Sequence, residues 1–191
     1  MGQEREDEKT RPAPDPKLAG PEVISPKEIS PKVISYIGLG SNLGDGVAAL
    51  QQALQGIADL PGTELLRVSS FYRTAAWGKT DQPDFTNGVA EIITCLQADE
   101  LLQQLLALEL DLGRVRNSER WGPRCIDLDI LSFADQVIDL PDLTTPHPRM
   151  HERAFVLLPL LELEPAYRIP GLGEAGLFLE KVSNQRIEKI K

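Results

Sequence analysis

The chain has 191 residues, with 29 acids against 20 bases and a formal net charge of -9. Length allows one ordinary domain with a tail, and 41% hydrophobic residues suffice for a core. The acidic balance excludes a broad basic face for nucleic acid or an anionic membrane. Two cysteines, Cys95 and Cys125, exclude a disulfide-dense scaffold and read as two buried reduced thiols of a cytoplasmic protein. No apolar run approaches the roughly 20 residues of a membrane span, and the charged first 15 residues carry no secretory pattern.

Residues 1–32 hold six of the 15 prolines, seven acids and six bases, and no aromatic residue. Such a segment buries too little apolar surface to offset its ordering entropy, so a disordered extension is expected. Residues 33–191 form the domain. It opens on Val33-Ile34-Ser35-Tyr36-Ile37-Gly38-Leu39-Gly40, a buried strand by its apolar run. The turn Ser41 to Asp45 caps a helix carrying Val47, Leu50, Leu54 and Ile57 at helical spacing. Pro61-Gly62 ends it.

Leu65 to Tyr72 reads as a second strand, Arg73 to Pro83 as a polar loop, and Phe85 to Leu96 as a third strand. Ala98 to Leu112 is the clearest helix. Leu101, Leu102, Leu105, Leu106, Leu108 and Leu112 make a wide stripe, core by default, and Gly113 is its C-cap. Cys125 to Phe133 is a fourth strand, and Phe155 to Leu163 a short helix. The order β-α-β-β-α-β is the split pattern of ferredoxin-like α+β domains, here with additional C-terminal elements. No apolar helix face is left over, which favours a monomer.

Asp127 and Asp129 alternate with Ile126, Leu128 and Ile130. Along a strand the two carboxylates share one face, roughly 6.5–7 Å apart. Like charges held so close repel unless a cation lies between them, and magnesium takes such oxygens together with substrate phosphates. A solvated strand face gives the same pattern when it stands alone. Here it follows Arg114-x-Arg116-x-x-x-Arg120-Trp121-Gly122-Pro123-Arg124. All seven bases between Lys79 and Lys181 are arginine, whose planar fork suits phosphate better than a lysine point charge.

Both histidines of the chain, His147 and His151, lie in Pro146-His147-Pro148-Arg149-Met150-His151-Glu152-Arg153. A metal pair needs a helix there and a third ligand; a phosphate contact from His147 beside Arg153 fits better. Gly38-x-Gly40-Ser41-Asn42-x-Gly44 matches neither nucleotide-loop pattern, so its glycines read as turn chemistry and close packing. Glu109 stands near a helix C-terminus, where the dipole disfavours a carboxylate, and is a candidate for a polar contact.

Four segments then match a known family: Tyr36 to Asp45, Ser70-Phe71-Tyr72-Arg73-Thr74, Asp81-Gln82-Pro83-Asp84-Phe85-x-Asn87, and Arg114 to Ile130. Pro146-His147 and Arg153 to Leu157 fit as well. Over residues 33–180 the chain resembles 6-hydroxymethyl-7,8-dihydropterin pyrophosphokinases of folate biosynthesis. The resemblance implies a ferredoxin-like fold and transfer of the β,γ-pyrophosphoryl group of ATP to the pterin hydroxymethyl oxygen, leaving AMP. It implies two magnesium ions held by Asp127 and Asp129, with Arg114 and Arg124 neutralising phosphate oxygens. It assigns ATP binding to Glu109, Arg116, Trp121, Ile130, His147 and Arg153.

The pterin, by the same resemblance, stacks between Phe85 and Phe155, and Asn87 reads its amide-like edge. Gly40, Thr74, Ala75 and Trp77 complete that pocket. Three departures stand out. Ala75-Ala76 replaces a common Pro-Pro pair, Trp77 a common aliphatic residue, and Phe85 the frequent Tyr. A binding module without chemistry would need neither the Asp-x-Asp face nor the arginines. Another magnesium phosphotransferase would not need the aromatic pair with Asn87.

Overall fold

A computed structural model describes residues 31–76, 81–114 and 122–191. The extension read over residues 1–32 therefore lies, apart from its last two residues, outside the described residues.

Strand β1 (Val33–Ser41) runs into helix α1 (Gly46–Ala58), and the Asp45 side chain caps that helix by accepting the Ala48 N–H at 3.1 Å. Strands β2 (Thr63–Val68), β3 (Tyr72–Thr74) and β4 (Phe85–Thr94) follow, then α2 (Ala98–Asp111) and β5 (Asp127–Phe133). The later elements are β6 (Ile138–Leu140), β7 (Leu143–Thr145), α3 (Ala154–Leu163), β8 (Arg168–Ile169), β9 (Gly173–Glu174) and β10 (Ile187–Lys189).

The main sheet runs β10-β3-β4-β1-β5, with β2 pairing the far half of β4, and every ladder is antiparallel. Counting β2 and β3 as one interrupted strand gives the ferredoxin-like order. The interruption corrects the single strand read over Leu65 to Tyr72 and places Arg73 and Thr74 in a strand instead of a loop. Its cause is local: the Ser69 hydroxyl accepts the Val89 N–H at 3.0 Å, while the Ser69 N–H reaches the Val89 carbonyl at 2.9 Å. A side chain thus replaces one rung of the ladder. The third strand stops at Thr94 and the fourth starts at Asp127, each two residues inside the expected limits.

Two cores flank the sheet. Ile37, Leu39, Ile92, Leu128 and Ile130 pack under α1 and α2 with Leu50, Ile57, Leu101 and Leu105. Tyr36, Val89 and Leu131 pack under α3 with Met150, Leu157 and Leu160. Cys95 and Cys125 are free and half-buried, less enclosed than expected. Among the described residues no helix is long and apolar enough to cross a membrane.

Candidate active site

The site is built on one row of the sheet. Register places Asn87 of β4, Gly40 of β1 and Asp127 of β5 side by side, and Val89, Gly38 and Asp129 in the parallel row. Opposed residues of neighbouring strands share a face. A Cβ on Gly40 would lie 3.2 Å from Asn87 Oδ1 and within 4 Å of Asp127 and Phe85. Glycine there leaves an open floor between an amide and a carboxylate that stand two strand spacings apart, roughly 9–10 Å.

Above this floor lies a cavity of about 1090 Å³. Gly40, Thr74, Ala75, Phe85, Asn87, Glu109, Arg114, Arg124, Asp127, Asp129, Ile130, His147, Arg153 and Phe155 all line it. Trp77, Arg116 and Trp121 lie outside the described residues. Because β5 is an edge strand, both of its faces contribute: Asp127 and Asp129 from one, Leu128 and Ile130 from the other. The alternation read from the sequence holds.

Asp127 is held by two guanidinium groups. Arg114 Nη1 lies 2.7 Å from Oδ1 and Arg124 Nη1 2.7 Å from Oδ2. Arg114 also pairs with Glu109. Gly113, at φ 88°, turns the chain after α2, and the Arg114 N–H reaches back to the Glu109 carbonyl at 2.9 Å. Desolvation opposes the charged form of Arg114, yet Asp127 and Glu109 outweigh it and raise its pKa.

Glu109 is 1% exposed and accepts the Leu128 N–H at 2.7 Å. It ties α2 to the strand that carries both aspartates. Burial raises its pKa, with Leu128 and Arg114 opposing. Asp129 is pushed up to about 7, first by burial and then by the charge of Asp127, against Arg153 and Arg124.

The residues that the resemblance assigns to the pterin converge on the other end of the floor. Asn87 Nδ2 donates to Thr74 Oγ1 at 2.8 Å, and both side chains are buried. Phe85 comes from the start of β4 and Phe155 from the first turn of α3. The Arg153 guanidinium sits 5.5 Å from the centre of the Phe155 ring. His147 donates its N–H to the Leu131 carbonyl at 2.8 Å and accepts the Arg149 N–H on Nδ1 at 3.1 Å. Burial and Arg153 lower its pKa to about 4, so the ring is neutral. His151 faces away, edge-on to Phe178, in a short 3-10 turn (Met150–Glu152) that forms no helical histidine pair. Among the described residues no group of three or more His, Cys, Asp or Glu side chains forms a metal cluster.

Several lining residues were not singled out from the sequence. Leu102 and Leu106 read as core with the rest of their stripe; Leu102 does pack against the core, and both also line the cavity beside Glu109, on one helix face at spacings of four and three. The turn between β6 and β7 (Pro141-Asp142) closes one wall, and Gln82 lines another.

The family model for 7,8-dihydro-6-hydroxymethylpterin-pyrophosphokinase (HPPK) matches residues 36–165. The 2-amino-4-hydroxy-6-hydroxymethyldihydropteridine pyrophosphokinase of Pseudomonas aeruginosa is 50% identical over 135 residues, covering 71% of this chain and 83% of that one. The enzyme of the same name from Methylorubrum extorquens is 42% identical over 156 residues, 81% of this chain and 98% of that one. Among solved structures, wild-type Plasmodium falciparum HPPK-DHPS with pterin and p-hydroxybenzoate superposes with a TM-score of 0.60 at 17% identity. The match covers 81% of this chain and 42% of that longer one. It supports the ferredoxin-like α+β fold alone. On the sequence matches, the chain belongs to the 7,8-dihydro-6-hydroxymethylpterin-pyrophosphokinase family.

Proposed function

We propose that the cavity beside β5 is the active site of this family member and that its described lining residues divide between the two substrates. The chain is a pyrophosphokinase of folate biosynthesis: it transfers pyrophosphate from ATP to the hydroxymethyl group of 6-hydroxymethyl-7,8-dihydropterin and leaves AMP. The observation that carries the site assignment is the row Asn87–Gly40–Asp127. It puts an amide suited to a pterin edge and a carboxylate suited to a phosphate-bound cation on one floor, with no side chain between them.

Asp127 and Asp129 fit magnesium. Both present hard oxygen donors on one face of the cavity; burial first and the Asp127 charge second raise Asp129, and a bound cation offsets both by stabilising the carboxylate. When bound, magnesium neutralises triphosphate charge and orients its oxygens; two ions match the two carboxylates. The remaining work falls to the chain. Phe85 and Phe155 hold the pterin ring by stacking, and Asn87, oriented by Thr74, selects its edge. Arg114 and Arg124 supply guanidinium forks for the transferring phosphates. In the structure they rest on Asp127, ready to exchange part of that contact for phosphate oxygen.

His147 and Arg153 complete the ATP side, with a neutral imidazole able to donate from Nε2 while Nδ1 is engaged. Attack by the hydroxymethyl oxygen forms the bond to the β-phosphorus, and the bond from that phosphorus to the α-phosphate oxygen breaks. Free Cys95 and Cys125 suit a reducing cytoplasm, and we expect a monomer. The test is to incubate the protein with ATP, magnesium and hydroxymethyl-dihydropterin. AMP and pterin diphosphate are expected; ADP, or nucleotide turnover independent of pterin, overturns the reading.

A further inference from the structure

Asn42 belongs to the glycine-rich turn after β1, and nothing above gives it a role in the reaction. Its side chain is buried, at 4% exposure. Among the described residues, that side chain hydrogen-bonds to segments distant in sequence. Nδ2 donates to Gln82 Oε1 at 3.1 Å and to the Pro83 carbonyl at 3.2 Å. Oδ1 accepts the Arg124 N–H at 2.8 Å. The Asn42 N–H donates to the Arg124 carbonyl at 3.1 Å.

One amide thus spends its two donors on the segment leading into Phe85 and its acceptor on the residue that pairs with Asp127. The backbone of Arg124 is gripped through both its N–H and its C=O. A short primary amide suits this task. Aspartate has no donor for Gln82 and Pro83, serine is too short for both sides, and glutamine is one carbon too long for a buried slot.

We propose that Asn42 is a positioning residue that locks the pterin-side segment Gln82-Pro83 to the phosphate-side Arg124, so that each half of the site sets the other. The proposal rests on the functional reading above. It ascribes to one residue a coupling between pterin binding and the placement of a phosphate-neutralising arginine. A residue that only stabilised the turn would lower the melting temperature without distinguishing the two substrates.

The test uses the full chain, steady-state constants for both substrates, and single-turnover AMP formation, all below the melting temperature of every variant. Asn42→Asp keeps the acceptor for Arg124 and loses both donors. It is expected to raise the KM for pterin about tenfold, the worth of two neutral hydrogen bonds, with a smaller change in kcat. Asn42→Ala loses both sides and is expected to slow single turnover by up to about 10²-fold, the cost of a small misplacement of a reacting group. At saturating pterin, Asn42→Ala combined with Arg124→Ala should add less than about threefold to the single-turnover loss of Arg124→Ala alone, because in that step both act through the Arg124 guanidinium.

Multiplicative losses in the double variant overturn the coupling. So does a pterin KM in Asn42→Asp within about twofold of the parent. Should Asn42→Ala fail to fold, Asn42→Asp and its combination with Arg124→Ala decide the question. Absence of AMP from the parent enzyme overturns the functional reading; an active parent with unaffected Asn42 variants overturns only the role of Asn42.

Discussion

Glu109 and Arg114 form an ion pair across the end of α2, and the pair is anchored at both ends: Glu109 accepts the Leu128 N–H, and Arg114 reaches on to Asp127. A helix, a strand and the loop after the helix meet in one charged chain. Arg114 is thereby held in the cavity without substrate.

Removing the acid leaves a partly buried guanidinium short of a partner and a strand amide unsatisfied. Glu109→Ala is expected to lower unfolding free energy by about 3 kcal/mol, within the range for breaking a buried pair. It should also raise the KM for ATP. Denaturant unfolding beside ATP titration checks both; an unchanged unfolding midpoint would refute the anchoring role.

Asp129 carries a cost that the proposed metal role explains. A carboxyl whose folded pKa is about 7, above its ordinary 3.8, costs stability as pH rises between those values, and the cost is complete above about 7. Asn at this position removes it. At pH 8 without magnesium, Asp129→Asn is expected to melt above the parent, by roughly 2–4 °C for each kcal/mol recovered. It should lose AMP formation. Added magnesium with ATP should stabilise the parent and leave the variant unmoved. A variant that melts below the parent and still turns over would contradict this account.

His147 sets an opposite pH dependence. Its folded pKa of about 4 lies below the ordinary 6.5, so the unfolded chain takes up the proton first on acidification. The stability it supports is complete above about 6.5 and falls as pH drops towards 4. Arg153, Asp127 and Arg149 act on the ring alongside burial. His147→Gln should flatten the stability profile between pH 4 and 6.5 relative to the parent. Parallel profiles for the two proteins would exclude a depressed histidine.

Gln185 lies beyond the residues that the family model covers, yet it brackets Arg153, which the proposed site gives to ATP. Its Oε1 accepts the Ala154 N–H at 2.8 Å and its Nε2 donates to the Glu152 carbonyl at 2.7 Å. Arg153 sits between, with Phe155 just after. Gln185→Ala is expected to cost about 1 kcal/mol, as for a lost helix N-cap. It should also weaken binding of both substrates severalfold, because the proposed site gives Arg153 to ATP and Phe155 to the pterin. Unchanged affinities in isothermal titration would restrict Gln185 to a structural role.

Much of this protein is local and could be read in order along the chain. Strand alternation puts Asp127 and Asp129 on one face, since a period of two needs no tertiary information. The Asp45 cap and the Gly113 turn are likewise decided within a few residues. The arginine-rich segment with its Asp-x-Asp strand points to phosphate and a cation by residue type, whereas the pterin roles of Phe85, Phe155 and Asn87 come from the family resemblance.

Tertiary structure alone decided how these parts meet. Register between β4, β1 and β5 made Gly40 the gap between Asn87 and Asp127. Helix docking fully buried Leu101 and Leu105 and left Leu102, still packed on the core, and Leu106 lining the cavity, although all four share one apolar stripe. A hydroxyl of Ser69 split a strand that pattern reads as continuous. Asn42 joined Gln82 to Arg124 across intervals of 40 and 82 residues. The reason is common to all four. Periodicity reports which face a residue takes on its own element, whereas a partner across the fold is chosen by packing and register, which no local pattern encodes.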